Sequence, residues 1–261
     1  MKSVWLENYN IEKRESLKGN INVEAVVVGA GITGLLTAYM LQKKGVEVIV
    51  IDRGRILNGN TKNTTAKVTI QHNLIYDKLL KEFNEENAKR YAEANRLALE
   101  NYKKIIEENK IDCDFENVDA YVYSLNNPEK IINEYEAAKK IGIDSELLDE
   151  IELPFKIAKA VKFKNQAQFN PVKFLNFIAK DLKIYEDTKA IDIKDGLVIT
   201  NRGEIKAEHI VVATQYPIIN VPGYYFLRMH QERDYVIALK NAQKLKGIYR
   251  DENEEGYSFR N

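Results

Sequence analysis

One stretch, residues 25–52, constrains the fold more than any other part of the chain. A short apolar run at residues 25–28 precedes the glycine pattern G-x-G-x-x-G at residues 29–34, which is followed by apolar residues at helical spacing. A second apolar run, residues 46–51, ends at Asp52. Strands buried on both faces of a parallel sheet are typically continuous apolar runs, and a glycine-rich turn between such a strand and a helix is typical of dinucleotide-binding folds. The stretch therefore predicts a Rossmann-type strand–helix–strand unit that binds a dinucleotide.

Each glycine of the pattern has its own physical reason. Gly29 permits a tight turn, Gly31 lets a pyrophosphate approach the backbone, and Gly34 lets the helix pack closely on the strands. The first helical turn has backbone N–H groups free to bind phosphate oxygens, and the positive end of the helix dipole favours an anion there. We predict that the whole turn contacts the dinucleotide, namely Gly29, Ala30, Gly31, Ile32, Thr33 and Gly34.

Asp52 supports this interpretation, because it lies 21 positions after Gly31, close to the spacing of about 20 that the motif requires. Its carboxylate can accept both hydroxyls of an adenosine ribose, and it disfavours a 2′-phosphate, which makes NADP a poor candidate. The motif alone does not separate FAD from NAD. The alternative, a glycine-rich helix start in another kind of α/β unit, leaves Asp52 without a role.

The composition of the chain argues against several other classes of protein. The chain has 261 residues, with 39 basic and 39 acidic side chains and no block of like charge, which argues against a nucleic-acid partner. Its single cysteine, Cys113, excludes an internal disulfide and supplies too few thiolates for an iron–sulfur or zinc–thiolate site. The first twenty residues are too polar for a signal peptide, and the longest apolar stretch, residues 25–41, contains three glycines and is too short for a bilayer. We therefore expect a cytoplasmic protein without a membrane anchor.

The sequence strings that follow the glycine motif indicate a protein family more specifically than the motif does. The string TTAKVTIQHNLIY occupies residues 64–76, and three further stretches, residues 113–124, 165–175 and 210–218, accompany it. With these motifs the whole chain resembles the amino-acid-oxidase-like FAD-dependent oxidoreductases (the DAO/glycine oxidase family). It is most similar to a bacterial subgroup whose full-length members carry a C-terminal Rieske domain.

The resemblance implies an α/β fold in which a Rossmann-type FAD-binding domain is interleaved with an α+β substrate domain. The FAD-binding domain would comprise residues 1–80 and 156–221. The substrate domain would comprise residues 81–155, and residues 222–261 would begin the return to it.

The resemblance also implies cofactor contacts for FAD. The glycine turn would hold the pyrophosphate, Asp52 the adenosine ribose, and the 64–67 loop would run beside pyrophosphate and flavin. From the residues alone, Lys67 is suited to face flavin N1 or its C2 carbonyl, where negative charge builds on reduction, and the alternative is a polar surface loop. The implied contacts beyond the turn are Asp52, Arg53, Thr64, Thr65, Ala66, Lys67, Ala190, Ala213 and Thr214.

Fewer signals mark the remaining chain. Residues 84–110 form an amphipathic pattern with Asn84 as the expected N-cap, and Asp195-Gly196 predicts a hairpin turn. His72 follows the cofactor loop and lies either near the flavin or in a structural hydrogen bond, whereas His209 is expected at the surface. The histidines show no metal-ligand spacing with acids or with the cysteine. We name no metal ligand and no catalytic acid or base.

By the resemblance, the chain oxidises a C–H bond next to an amine nitrogen by hydride transfer to flavin, on a small-molecule amine or amino-acid-like substrate. In the relatives the final residues here lie inside the substrate domain, so we expect a C-terminally truncated form. Such a form would leave edge strands without partners. The reduced flavin would pass its electrons to oxygen or to a redox partner, so the protein partners that we expect are an electron-acceptor protein or a completing chain. Two alternatives are a catalytically silent fragment that binds adenine nucleotide, and a NAD-dependent dehydrogenase, against which residues 58–72 argue.

Overall fold

The computed structural model describes residues 3–7, 9–232 and 234–261. In these residues it has five α-helices: α1 Ile32–Lys43, α2 Ile75–Glu82, α3 Glu85–Asn109, α4 Pro128–Lys140 and α5 Pro171–Ile178. Its twelve strands are β1 Ile21–Val28, β2 Val48–Ile51, β3 Lys67–Val68, β4 Glu116–Ser124, β5 Ser145–Leu148, β6 Lys159–Gln168, β7 Lys183–Tyr185, β8 Ala190–Lys194, β9 Leu197–Thr200, β10 Gly203–Val212, β11 Gly247–Asp251 and β12 Ser258–Phe259. Three short 3₁₀-helices are Val4–Leu6, Asn60–Asn63 and Tyr225–Leu227.

The chain divides into two compact units. The first contains the residues up to 65 together with 170–238, and the second contains 66–169 together with 239–261. Each unit is therefore built from two separate parts of the chain.

The first unit contains a six-stranded sheet of order β7-β2-β1-β10-β9-β8. Its first four strands are parallel, and β9 and β8 are added antiparallel at one side. Val27 lies opposite Val50 in β2 and Val211 in β10, and Val27 and Val50 are fully buried. The predicted strand–helix–strand unit is confirmed, because α1 packs against both β1 and β2.

The first strand is longer than predicted. It begins at Ile21 rather than at residue 25, because Ile21, Asn22 and Val23 already pair with β10. The apolar run marked only the part of this strand that is buried on both faces.

The second unit contains a sheet of order β12-β11-β4-β6-β3, with β5 also paired to β6. The pair β4–β11 is parallel and the other pairs are antiparallel. Buried side chains from α2, α3 and α4 pack with the fully buried Val122, Val161 and Phe163 of the sheet. The predicted N-cap is confirmed, since the Asn84 side chain accepts a hydrogen bond from the N–H of Asn87.

A buried carboxylate holds the start of α2. Leu74 precedes this helix and provides no side-chain cap. Glu134 of α4 does so instead, because its two oxygens accept from the N–H groups of Tyr76 at 3.1 Å and Asp77 at 2.8 Å. Burial raises the pKa of Glu134 to about 7, although these backbone hydrogen bonds oppose the rise.

The segment after β10 leaves many large apolar side chains exposed. Between residues 213 and 246 the described residues contain no strand. The exposed apolar side chains of this segment are Ile218, Ile219, Val221, Tyr224, Tyr225, Phe226, Leu227, Met229, Tyr235, Val236, Ile237 and Leu239. Within the described ranges, no helix has both the length and the apolar character that crossing a membrane requires.

Candidate functional site

The carboxyl ends of four parallel strands lie at one edge of the first unit's sheet. In open α/β sheets, ligands bind at this edge, at the point where the strand order reverses. Here the reversal lies between β1 and β10, because β2 and β7 extend the sheet on one side and β9 and β8 on the other. The predicted residues 29–34, 52–53 and 213–214 directly follow three of these strand ends.

Gly29 and Gly34 are required by close backbone packing. Gly29 has a φ of 113°, and a Cβ atom there would lie 2.5 Å from the carbonyl oxygen of Ala213. A Cβ atom on Gly34 would lie 1.8 Å from the carbonyl oxygen of Gly29. Helix α1 therefore sits against the turn as closely as two backbones allow.

Gly31 has a different environment, which fits a ligand. A Cβ atom at Gly31 would have one described neighbour within 4 Å, the Thr61 hydroxyl at 3.3 Å. That hydroxyl accepts a hydrogen bond from the N–H of Ile32 at 3.1 Å. Gly31 is the N-cap of α1 and offers no side-chain cap, and the N–H groups of Thr33 and Gly34 have no acceptor within the helix. N–H donors without an acceptor at the start of a helix fit the pyrophosphate of a dinucleotide.

Asp52 points to this turn. Its Oδ2 accepts from the N–H of Ala30 at 2.8 Å, and its Oδ1 accepts from the N–H of Gly54 at 2.9 Å. A carboxylate has about four lone-pair positions, so each oxygen keeps one for a ribose hydroxyl. The neighbouring Arg53 is exposed.

Two later predicted positions come to the same edge through the backbone. The N–H of Thr188 donates to the carbonyl of Asp52 at 2.8 Å, and Ala190 begins β8 two residues further on. The N–H of Ala213 donates to the carbonyl of Val28 at 2.8 Å. The structure thus brings the chain near Ala190 and Ala213 to the strand ends that carry Asp52 and the glycine turn.

The predicted loop 64–67 is divided between the units, with Thr64 and Thr65 in the first and Ala66 and Lys67 in the second. The carbonyl of Thr64 accepts from Trp5 Nε1 at 2.9 Å. Ala66 has a φ of 50°, and its carbonyl accepts from Arg260 Nη1 at 2.9 Å.

Lys67 is the first residue of β3, and its pKa is lowered. Burial, followed by the positive charges of Arg250 and Arg260, lowers the pKa of Lys67 from 10.5 to about 8. The structure brings these three cations together from parts of the chain about 180 residues apart.

Sequence reasoning missed two polar residues of the first unit. Thr61 caps the N–H of Ile32, and the only sequence signal was a threonine in the polar loop after β2. Glu186 follows β7 and is fully buried, and its oxygens accept from the N–H groups of Arg14 at 3.0 Å and Ile56 at 2.9 Å. An acid directly after a short apolar strand, as with Asp52, was the available signal for Glu186.

Beside the end of β10 lies a cavity of about 500 Å³ in the first unit. Thr214 contributes a hydroxyl, which donates to the carbonyl of Tyr216 at 2.8 Å. The lining residues are Val212, Thr214, Gln215, Pro217, Ile218, Ile219, Val221, Pro222, Gly223 and Tyr225. Most of these lining residues are apolar in type.

Two of the three histidines, His72 and His209, have different environments. His72 Nδ1 lies 2.8 Å from the Tyr91 hydroxyl, and desolvation and then the charge of Arg250 lower its pKa. His209 is exposed on β10, as predicted. Among the described residues, no group of three or more His, Cys, Asp or Glu side chains is arranged to hold a metal ion.

Comparison with known proteins gives a family match. The model of the FAD dependent oxidoreductase family (DAO) matches residues 24–261. The protein YhfW of Bacillus subtilis (strain 168), which is named for a Rieske 2Fe-2S centre, is 36% identical over 257 residues, which cover 94% of this chain and 50% of that protein. The chain therefore spans about half the length of this curated relative.

Solved structures share the fold. L-proline dehydrogenase from P. horikoshii has a TM-score of 0.60 at 23% identity, covering 76% of this chain and 54% of that one. L-amino acid deaminase from Proteus vulgaris has a TM-score of 0.58 at 21% identity, covering 77% and 50%. Glycine oxidase from Bacillus cereus ATCC 14579 has a TM-score of 0.55 at 22% identity, covering 74% and 55%. These similarities confirm the predicted α/β fold class with a Rossmann-type FAD domain.

Proposed function

Because the chain belongs to the family of FAD-dependent oxidoreductases, we propose that its first unit binds FAD at the turn of residues 29–34 and that it oxidises a small-molecule amine or amino-acid-like substrate. The substrate class is supported by the names of the structural neighbours, which include L-proline dehydrogenase and glycine oxidase. By this proposal the first unit is the FAD-binding domain, and the second unit contains the substrate domain.

The observation that carries the proposal is the set of N–H groups at the start of α1 that have no acceptor within the helix, at the same sheet edge as the fixed carboxylate of Asp52. The N–H groups of the first turn of α1 would hold the pyrophosphate, and Asp52 would hold the adenosine ribose. Backbone groups near Ala190 would face the adenine. Ala213 and Thr214 would lie beside the phosphates, and Thr64, Thr65, Ala66 and Lys67 beside pyrophosphate and flavin.

When bound, FAD supplies the acceptor for a hydride from the substrate C–H next to the amine nitrogen. The protein's own part is binding and orientation. The amides and the helix dipole offset the phosphate charge, and Asp52 fixes the ribose through an orientation that the N–H groups of Ala30 and Gly54 already set. No proton transfer is assigned to a side chain.

We further propose that electrons leave through an iron–sulfur redox partner, because the relative in Bacillus subtilis is named for a Rieske 2Fe-2S centre. A reducing cytoplasm is the compartment that we propose, since the single cysteine, Cys113, has no second cysteine in the sequence with which to form an internal disulfide.

The FAD site is tested with two glycine variants of the purified chain. In Gly31→Ala the new methyl group would lie 3.3 Å from the Thr61 hydroxyl, at the start of α1 where the pyrophosphate would bind. We expect FAD affinity to fall at least about tenfold, which corresponds to about 1.4 kcal/mol. Urea unfolding in the absence of FAD measures separately any loss of stability that the contact with Thr61 causes. Gly59→Ala is the matched control, because a Cβ atom there meets nothing within 4 Å and the φ of −84° suits alanine.

Three outcomes count against the proposal. Equal FAD affinity in Gly31→Ala and the unmodified chain would remove the turn from the site. Saturable NAD binding without flavin binding would favour a dehydrogenase. A yellow protein that no amine bleaches under anaerobic conditions would favour the catalytically silent nucleotide-binding alternative.

A further inference from the structure

The first residues of the chain lie along the polar loop that follows β2. Residues 3–7, here called the N-terminal strap, contain the 3₁₀-helix Val4–Leu6. The loop contains the 3₁₀-helix Asn60–Asn63, and the two short helices lie next to each other in the first unit. The family match begins at residue 24, so the strap lies outside the region that the chain shares with the family model.

Two side chains of the N-terminal strap donate hydrogen bonds to backbone carbonyls of this loop. The Ser3 hydroxyl donates to the carbonyl of Lys62, and Trp5 Nε1 donates to the carbonyl of Thr64 at 2.9 Å. Ser3 Oγ also accepts from the N–H of Trp5 at 3.2 Å, which fixes the two donors relative to each other. The strap therefore holds the loop on both sides of Asn63.

The loop in turn contacts the start of α1 through Thr61. This threonine is 7% exposed, and its hydroxyl accepts from the N–H of Ile32 at 3.1 Å. Ile32 is the first residue of α1, where the pyrophosphate would bind. Because Thr61 directly precedes Lys62, whose carbonyl accepts from Ser3, a movement of the strap is passed to Thr61 through a single peptide bond.

The chain that follows the strap is fixed to the first unit by buried groups. Leu17 is 3% exposed and packs in the core of the sheet, and its N–H donates to the hydroxyl of the buried Thr188 at 3.1 Å. The N–H of Arg14 donates to the buried Glu186 at 3.0 Å. The 3₁₀-helix of the strap, in contrast, contains no buried residue. The strap can therefore leave the loop while the chain that follows it stays in place.

We propose that Ser3 and Trp5 are positioning residues, which hold the loop of residues 60–64 so that the Thr61 hydroxyl stays on the N–H of Ile32. By this inference the strap slows the opening of the loop at the start of α1, and it also slows the release of a bound FAD. The statement about FAD rests on the proposed function. The statement about Thr61 and Ile32 concerns the chain's own contacts and is independent of FAD.

Amide hydrogen exchange in the full chain without FAD tests the first statement. The exchange rate of the Ile32 N–H reports how often its contact with Thr61 opens. Trp5→Phe removes the Nε1 donor and keeps an aromatic ring, and Ser3→Ala removes the hydroxyl. Each variant should raise the exchange rate at Ile32 about fivefold, the change expected for the loss of one hydrogen bond. Ser3→Thr keeps a hydroxyl and should leave the rate close to that of the unmodified chain.

A change at Thr61 separates positioning from a general loss of stability. Thr61→Val removes the hydroxyl that accepts from Ile32, so adding Trp5→Phe to it should raise the exchange rate at Ile32 no further. Glu7→Gln, an exposed change in the same strap, is the matched control and should leave this rate unchanged. The inference is overturned if Trp5→Phe or Ser3→Ala leaves the rate unchanged. It is also overturned if Trp5→Phe raises the rate equally with and without the Thr61 hydroxyl.

The release of FAD tests the second statement. Flavin fluorescence after dilution of the loaded chain gives the dissociation rate constant, which Trp5→Phe should raise about fivefold and Glu7→Gln should not change. If FAD binds but Trp5→Phe leaves its release unchanged, control of the cofactor by the strap is overturned. If FAD does not bind the unmodified chain, the proposed function fails and the second statement fails with it, while the exchange rate at Ile32 still decides the first.

Discussion

Glu134 allows a quantitative test of the packing in the second unit. Its carboxylate is fully buried, and its pKa rises from 4.5 to about 7. The folded chain therefore keeps a proton on Glu134 between these two values, where the unfolded chain has released it. Stability falls with pH wherever the folded state binds more protons. Unfolding free energy should thus decrease from about pH 4.5 to pH 7 and then stay level.

The size of the effect follows from the same shift. The interval is about 2.5 pH units, and each unit corresponds to 1.36 kcal/mol, so the loss is about 3 kcal/mol. Glu134→Gln cannot ionise and does not lose this amount. Glutamine lacks one of the two acceptor oxygens that bind N–H groups of α2, and this loss destabilises the chain equally at every pH. The pH dependence of the difference in unfolding free energy between the two proteins therefore isolates the carboxyl group.

The assay is urea unfolding of both proteins at pH 4, 5, 6, 7 and 8. Relative to the unmodified chain, Glu134→Gln should gain about 3 kcal/mol between the lowest and highest pH. Glu129→Gln, an exposed change on the first turn of the same helix, should give a curve parallel to that of the unmodified chain. Parallel curves for Glu134→Gln and the unmodified chain would refute the argument that burial controls this carboxyl group.

Two further changes test the first unit. Gly34→Ala should lower the unfolding free energy by at least about 3 kcal/mol, because the new Cβ would lie 1.8 Å from the Gly29 carbonyl oxygen and neither backbone can move freely. Urea unfolding measures this loss, and a value below about 1 kcal/mol would contradict the close packing of the two backbones. Glu186→Gln should lower the unfolding free energy by about 2 kcal/mol, because it loses charged hydrogen bonds to two backbone N–H groups and the ion pair with Arg55. Asp187→Asn should lower it by less than about 0.5 kcal/mol, because the Asp187 side chain is partly exposed where it pairs with Lys13. Equal losses in these two variants would show that burial of Glu186 does not matter.

Local patterns predicted the elements of the first unit well. The strand, the glycine turn, the helix and Asp52 lie within 32 consecutive residues, from Ile21 to Asp52, and each has a short-range physical cause. The hairpin between β8 and β9 was also predicted, because Gly196 takes the positive φ of 72° that such a turn requires. Signals of this kind do not depend on which distant residues pack against them.

Residues whose role depends on distant neighbours were not predicted. Glu134 caps a helix that begins about 59 residues earlier, and Glu186 accepts from the N–H of Arg14, 172 residues away. Lys67 feels the charges of Arg250 and Arg260 only because the fold of the second unit brings distant parts of the chain together. Residues 235–239 have the apolar and β-branched composition of a strand, but in this structure they have no strand partner and remain exposed.

Asp52 and Glu186 show how burial divides two chemically similar groups into different roles. Each follows a parallel strand, and each accepts hydrogen bonds from two backbone N–H groups. Glu186 is fully buried and also pairs with Arg55, so its acceptor positions serve the protein itself. Asp52 keeps partial exposure beside the glycine turn, so of the two acids it is the one with acceptor positions that a ligand can reach. The first unit thus has a structural acid and a ligand-directed acid at one sheet edge, and accessibility rather than residue type separates them.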